Sequence, residues 1–164
     1  MSNKLTHLDK DGRADMVDVG DKPDTKRIAV AEGAVYVDAN TLDLIKAGNM
    51  KKGDVLTVAR IAGIMGAKKT SDLIPLCHPV PITKISVDLS LDEEASAIRI
   101  QASARTIGKT GIEMEVLTAV SITALTIYDM AKAVDRTIRI SDIRLLEKRG
   151  GIHGDYVAEG YNAD

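Results

Sequence analysis

Two periods of apolar spacing organise most of the 164-residue chain, and its first stretch lacks both. Residues 1–25 are polar and charged, with one short apolar beat at Met16, Val17 and Val19. They read as a mobile arm, open to ordering by a partner or ligand. From Lys26 to Val37, the residues Ile28, Val30, Ala34, Val35 and Val37 predict a strand interrupted near Gly33. Thr41 to Ala47 reads as a short helix, capped by Asn40 or Thr41 and stopped by Gly48. Val55, Val58, Ala59, Ala62 and Met65 recur at helical spacing and predict a second helix from Asp54 to about Lys69. Three prolines in seven residues (Pro75, Pro79, Pro81) then make Ser71 to Lys84 a rigid extended loop.

Ile82 to Leu91 alternates, with Ile85, Val87, Leu89 and Leu91 on one face and Lys84, Ser86, Asp88 and Ser90 on the other. Ile98 to Arg105 alternates again after the turn "DEEAS", so the pair predicts an antiparallel hairpin. Gly111 to Val134 is the longest predicted helix. Its apolar residues, among them Val116, Leu117, Val120, Ile122, Leu125, Ile127 and Met130, fall on more than one face. So wide an apolar surface calls for two covers: its own sheet and, as the natural second, a partner subunit. Ile138 to Leu146 closes the fold as a strand whose phase slips near Ser141–Asp142, the mark of a bulge. Apart from the extra short helix this is the βαββαβ order of the ferredoxin-like α+β folds, with an antiparallel sheet packed by helices. The domain spans residues 26–156, and 157–164 reads as a flexible tail.

Composition narrows the function. A net charge of −2 argues against a general nucleic-acid or membrane-surface binder, though not against a local basic cluster around one phosphorylated ligand. With four Tyr, no Phe and no Trp, the core is left to Ile, Val, Leu, Ala and Met. The lone Cys77 excludes an internal disulfide and suits a reducing cytoplasm. No stretch reads as long and apolar enough to span a bilayer and no signal peptide opens the chain, so the expectation is a soluble cytoplasmic protein.

The chemistry begins at "RTIGKTGIEMEVL", Arg105–Leu117, where a glycine turn joins a strand to a helix. A Walker A loop needs a glycine five residues before that of Gly108-Lys109-Thr110, and Ser103 stands there. What survives is a glycine turn at a helix start, a general anion-binding end or simply a tight connection. Other basic groups sit beside glycine turns: Lys51-Lys52 before Gly53, and Lys148-Arg149 before Gly150-Gly151. Lys68-Lys69 precedes the proline loop. Each alone is an ordinary surface charge; together they favour a polyphosphate ligand.

Glu113 and Glu115 diverge on a helix but share a face if their segment is extended. Asp129 and Lys132 share a helix face; they read as an ordinary surface ion pair or, from the apolar setting of "IYDMAKAV", as a partly buried one suited to proton transfer. A continuous helix from Glu113 to Asp129 rises roughly 24 Å, too far for both ends to grip one nucleotide-sized ligand within one chain. Either the helix starts later or the pocket combines two subunits. Cys77 and His78, adjacent in the proline loop, are poor metal ligands and a doubtful nucleophile pair, and His7 and His153 add no ligand spacing.

Five stretches in unbroken order, over about residues 14–156, resemble the molybdenum cofactor biosynthesis protein C family, the cyclic pyranopterin monophosphate synthases. They are "MVDVGDKPDTKR" (Met16–Arg27), "KGDVLTVARIAGIMGAKKT" (Lys52–Thr70), "DLIPLCHP" (Asp72–Pro79), "GKTGIEMEVL" (Gly108–Leu117) and "YDMAKAVD" (Tyr128–Asp135). The resemblance implies a ferredoxin-like catalytic domain in a hexamer of three dimers, with active sites at subunit interfaces. It implies conversion of 3′,8-cyclo-7,8-dihydro-GTP to cyclic pyranopterin monophosphate and pyrophosphate. No cofactor is implied, and whether Mg²⁺ accompanies the triphosphate stays open.

Carried over by motif, Asp129, Lys132 and Lys52 are the expected catalytic residues. Leu76, Cys77, His78, Glu113, Met114, Glu115, Lys148 and Arg27 are the expected substrate-binding residues. The lysines are expected to have their pKa lowered by neighbouring cations and desolvation. One departure stands out: Ile152 occupies a tail position where the family tends to carry lysine, with Arg149 or His153 as replacements. Two readings from other classes remain, an RNA-binding module and a ligand-sensing oligomer without chemistry. The first lacks aromatic residues on the central hairpin to stack bases.

Overall fold

Five antiparallel strands in the order β2-β3-β1-β4-β5 carry the helices on one face. The computed structural model describes residues 11–151 and 154–163. In chain order the elements are β1 (Thr25–Tyr36), α1 (Ala39–Lys46), α2 (Val55–Ala67), α3 (Thr70–Leu73), β2 (Ile82–Asp92), β3 (Ala97–Gly108), α4 (Glu113–Ala131), β4 (Arg139–Arg149) and β5 (Tyr156–Val157). Leaving out β5, the spatial order β4-β1-β3-β2 is that of the ferredoxin-like α+β fold anticipated from the pattern.

Strand alternation decides which side chains form the core. Ala29, Ala31 and Val35 of β1 and Ile98, Ile100, Ala102 and Ala104 of β3 are buried together with Val116, Ala119, Val120, Ala124 and Ile127 of α4. The predicted break at Gly33 is a contact rather than an interruption. A Cβ there would lie 2.6 Å from Val120 of α4, so only glycine admits the helix at this crossing. The same point is irregular on the β4 side, where the register shifts between Glu32 and Ala34. Asp142 sits in that bulge with φ +59, close to where the phase slip predicted it.

The helices depart from expectation in instructive places. The cap of α1 is Asp38, whose carboxylate accepts from the Thr41 amide at 2.6 Å, and neither Asn40 nor Thr41 serves. Asp54 caps α2 in the same way, accepting from the Thr57 amide at 3.0 Å. The start of the proline loop folds into the short α3, because the prolines constrain the backbone only beyond Leu73.

The second cover of α4 also differs: it is α2 of the same chain. Gly63 and Gly66 bring the two helices into contact, since added Cβ atoms would lie 2.1 Å from Thr123 Oγ1 and 2.7 Å from Ile122. Val58, Ile61 and Met65 of α2 and Leu125 of α4 stay exposed beyond that contact. At 19 residues α4 is long and apolar enough to cross a membrane by length and composition alone, contrary to the sequence reading. Here it is the core helix, buried between sheet and α2.

Beyond β4, Ala158 is buried between Val30 and Leu146 with Tyr161 against them, a contact the tail reading did not foresee.

Candidate active site

Everything that positions the site depends on α4 presenting different chemistry at its two ends. At its N-terminal end the loop from β3 is gripped from beneath by Arg27. That side chain is buried; its Nε donates to the Gly108 carbonyl at 2.9 Å and Nη2 to the Lys109 carbonyl at 3.0 Å. Glu113, the first residue of α4, folds back over Gly111, where a Cβ would meet its carboxylate at 1.7 Å. No side chain caps this helix end with a hydrogen bond; the Glu113 carboxylate lies beside Gly111 instead. Lys148 of β4 pairs with Glu113 at 2.5 Å.

Facing this helix end is the proline loop, tied down where the Thr106 hydroxyl donates to the Pro81 carbonyl at 2.7 Å. The Cys77 amide closes a turn onto the Ile74 carbonyl at 3.1 Å. Between loop and helix lies a cavity of about 870 Å³. Of the expected substrate-binding residues, Arg27, Leu76, Cys77, His78, Glu113, Met114 and Lys148 all line it.

Glu115 lies beneath, only 3% exposed, with Oε1 4.0 Å from the Cys77 sulfur and Oε2 without a hydrogen-bond partner. Burial, opposed by its own amide and aided by the charge of Glu113, pushes its carboxyl up to about 7. Burial first, then the charges of Glu115 and Glu113, raise the Cys77 thiol above its ordinary value. A raised thiol argues against Cys77 as a thiolate nucleophile.

The C-terminal end is different in kind. Lys52, just ahead of α2, donates to the Asp129 carboxylate at 2.8 Å and to its backbone carbonyl at 3.0 Å. Lys132 reaches the other carboxylate oxygen at 2.6 Å. All three side chains are about half exposed, so in the single chain the pair is the surface one of the two readings. Hydrogen bonds and charge from Lys132, then Lys52, hold Asp129 down at about 2. Asp129 in turn raises Lys132, against the expectation that crowded cations would lower it. The arrangement is an ionised carboxylate between two ammonium groups, with a proton donor and an acceptor in contact.

The expected residues therefore form two clusters, and the helix between Glu113 and Asp129 keeps them roughly 24 Å apart. Of the basic pairs, Lys52 and Lys148 each join one cluster, whereas Lys69 pairs with Asp72 at 3.3 Å and Arg149 with Glu147. The tail question at Ile152 and His153, like His7, lies outside the described residues. Among the described residues no group of three or more His, Cys, Asp or Glu side chains is placed to hold a metal ion.

Several cavity residues were not anticipated. Val17, Val19 and Lys22 of the arm line it, as does Lys109. The apolar beat at Val17 and Val19 was the available signal, because apolar residues in an otherwise polar arm need something to cover.

Comparison with known proteins agrees with this geometry. The sequence model of the MoaC family matches residues 16–151. The cyclic pyranopterin monophosphate synthase of Brucella ovis is 60% identical over 156 residues, covering 95% of this chain and 94% of that protein. The protein of the same name from Dinoroseobacter shibae is 59% identical over 155 residues, covering 94% of this chain and 98% of its own. A lined cavity at one end of α4, a lysine-clamped aspartate at the other and near-complete coverage at such identity lead to one conclusion: this chain belongs to the MoaC family.

Proposed function

We propose that the protein is a cyclic pyranopterin monophosphate synthase of molybdenum cofactor biosynthesis, a lyase acting on 3′,8-cyclo-7,8-dihydro-GTP. The reaction rearranges the purine-derived rings into a pterin and closes a cyclic phosphate. In the closure a sugar hydroxyl attacks the innermost phosphorus, a new P–O bond forms, and the bond to the outer two phosphates breaks, releasing pyrophosphate. The observation that carries the reading is the pairing of a nucleotide-sized cavity with a separate, ready acid–base cluster on one helix.

In this reading Leu76, Cys77, His78, Glu113, Met114 and Glu115 hold the base and sugar. Lys148 and Arg27 take the phosphate side. Lys132, kept protonated by Asp129, donates a proton or stabilises developing negative charge; the Asp129 carboxylate accepts. Lys52 completes the cluster. Glu115, with its carboxyl near 7, is suited to gain or lose a proton beside the rings. The reading includes no resident cofactor; Mg²⁺, if used, arrives with the triphosphate. The single free cysteine suits the cytoplasm.

One chain cannot close both clusters on one ligand, so the reading places the active site between two chains. The exposed apolar face formed by Val58, Ile61, Met65 and Leu125 supports an antiparallel dimer across α2 and α4, which would set each Asp129 end against the other chain's cavity. Three such dimers give the expected hexamer. The test is turnover of the cyclised nucleotide by Lys52→Ala, Asp129→Ala and Lys132→Ala variants that remain folded. All three are expected to fall by at least about a hundredfold; near-wild-type rates in all three would remove the assignment.

A further inference from the structure

We propose that residues 14–22 form a substrate-positioning strap, latched by Lys109, in which Val17 and Val19 press the ligand's ring system against the opposite wall of the cavity. The proposal rests on reading that cavity as a substrate half-site.

Val17 and Val19 belong to no helix or strand, yet both are half-buried and both line the cavity. Their backbone is shaped locally. The Asp18 carboxylate accepts from the Gly20 amide at 2.8 Å, and the Lys22 amide donates to the Val19 carbonyl at 3.1 Å. Turns of this kind set a curve but do not hold it against the body of the protein. Lys109 does: its ammonium group donates to the Gly20 carbonyl.

The latch is itself anchored, because Arg27 binds the carbonyls of Gly108 and Lys109. Through Lys109 itself, these bonds link the buried Arg27 of β1 to the strap. The lysine of the Gly-Lys-Thr turn, which in a P-loop would reach for phosphate, here secures a segment of its own chain.

The same cavity that the two valines line is also lined by Ile74, Pro75 and Leu76 of the rigid proline loop. Two apolar walls, one rigid and one strapped on, suit a flat ring system; Lys22, at the end of the strap, adds an ammonium group for a phosphate tail. Holding the rings between these walls fixes their orientation and excludes water, and both effects belong to positioning.

The experiment compares Lys109→Met, Lys109→Arg and Val17→Ala/Val19→Ala in the full chain. Steady-state kinetics on the cyclised dihydro-GTP are paired with amide hydrogen exchange of residues 14–22 in the free protein. Lys109→Met is expected to raise KM about tenfold with kcat within about twofold, and to speed exchange in the strap alone. Lys109→Arg restores both. In the Val17→Ala/Val19→Ala background, Lys109→Met adds little, because latch and valines act through one element.

Unchanged strap exchange with a raised KM would mean that Lys109 touches the ligand directly, and full additivity would mean the same; either overturns the proposal. Normal turnover in both Glu113→Gln and His78→Ala removes the half-site reading and the strap with it. A normal KM in Lys109→Met beside a defective Glu113→Gln removes the strap alone.

Discussion

At one end of α4 a carboxyl group, Glu115, is sealed under a cavity with one oxygen unpartnered; at the other, Asp129 stands in solvent between two ammonium groups. Burial keeps the first protonated up to about pH 7, whereas its partners keep the second ionised down to about pH 2. The same side-chain chemistry on one helix is thus divided into a proton reservoir and a fixed negative charge. The difference lies in what the flanking elements bring: the proline loop closes over Glu115, while the loop before α2 presents Lys52 to Asp129. Environments that push two carboxyls apart in this way mark acid and base assignments in a site.

Removing the charge at the exposed end is the strongest way to break this comparison. Asp129→Asn is expected to lower kcat/KM by about 10²–10⁴, with little change in Tm because the pair is exposed and screened. A large loss of Tm would mean that the cluster is structural. The stability that Asp129 does contribute is present above its unfolded value near 3.8 and disappears as pH falls through about 2.

The buried end has the opposite sign. The native state keeps the Glu115 proton while the unfolded chain gives it up near 4.5, so stability declines as pH rises from about 4.5 to about 7 and then levels. At 1.36 kcal/mol per pH unit that decline is about 3 kcal/mol. Glu115→Gln is expected to flatten it and to be the more stable protein at pH 8, as urea titrations at pH 5 and pH 8 would read. An equal pH dependence in variant and wild type would contradict burial as the cause.

The smallest effect sharpens the same point. The Cys77 thiol should react slowly with iodoacetamide at pH 8, and Glu115→Gln should speed the reaction several-fold by removing a neighbouring negative charge. An unchanged rate would show that Glu115 and Cys77 do not sense each other.

Most of the fold was legible because its signals are local. Alternation marked β2 and β3 to within a few residues, and the phase slip at Ser141–Asp142 marked the β4 bulge. The contact of α2 with α4 was not legible, since Gly63 and Gly66 read as weak points of a helix until Thr123 and Ile122 lie opposite them. For a related reason α4 was expected to need a partner for its second apolar side. The end of the chain was missed because β5 has two residues and no periodicity.

For the site, residue patterns alone drew attention to Asp129–Lys132, to Glu113 and Glu115 by the glycine turn, to Lys52 and Lys148 beside other glycine turns and to the proline loop; the family resemblance assigned their roles and added Arg27. Neither distinguished Glu113 from Glu115. One pairs with Lys148 at the cavity and the other is buried, a difference set by the first turn of α4. Nor did pattern foretell that Lys109 faces its own chain, because a hydrogen bond to a backbone carbonyl leaves no mark in composition.

The central claim is that the two ends of α4 work together only across two chains. Glu113→Gln and Asp129→Asn, each expected to be inactive alone, are mixed under conditions that exchange subunits, and turnover of the cyclised dihydro-GTP is measured. If sites are shared, half of the dimers are mixed and each regains one intact site, so activity returns to about a quarter of wild type. If each chain carries a complete site, every site in the mixture still holds one defect and activity stays at the level of the inactive parents.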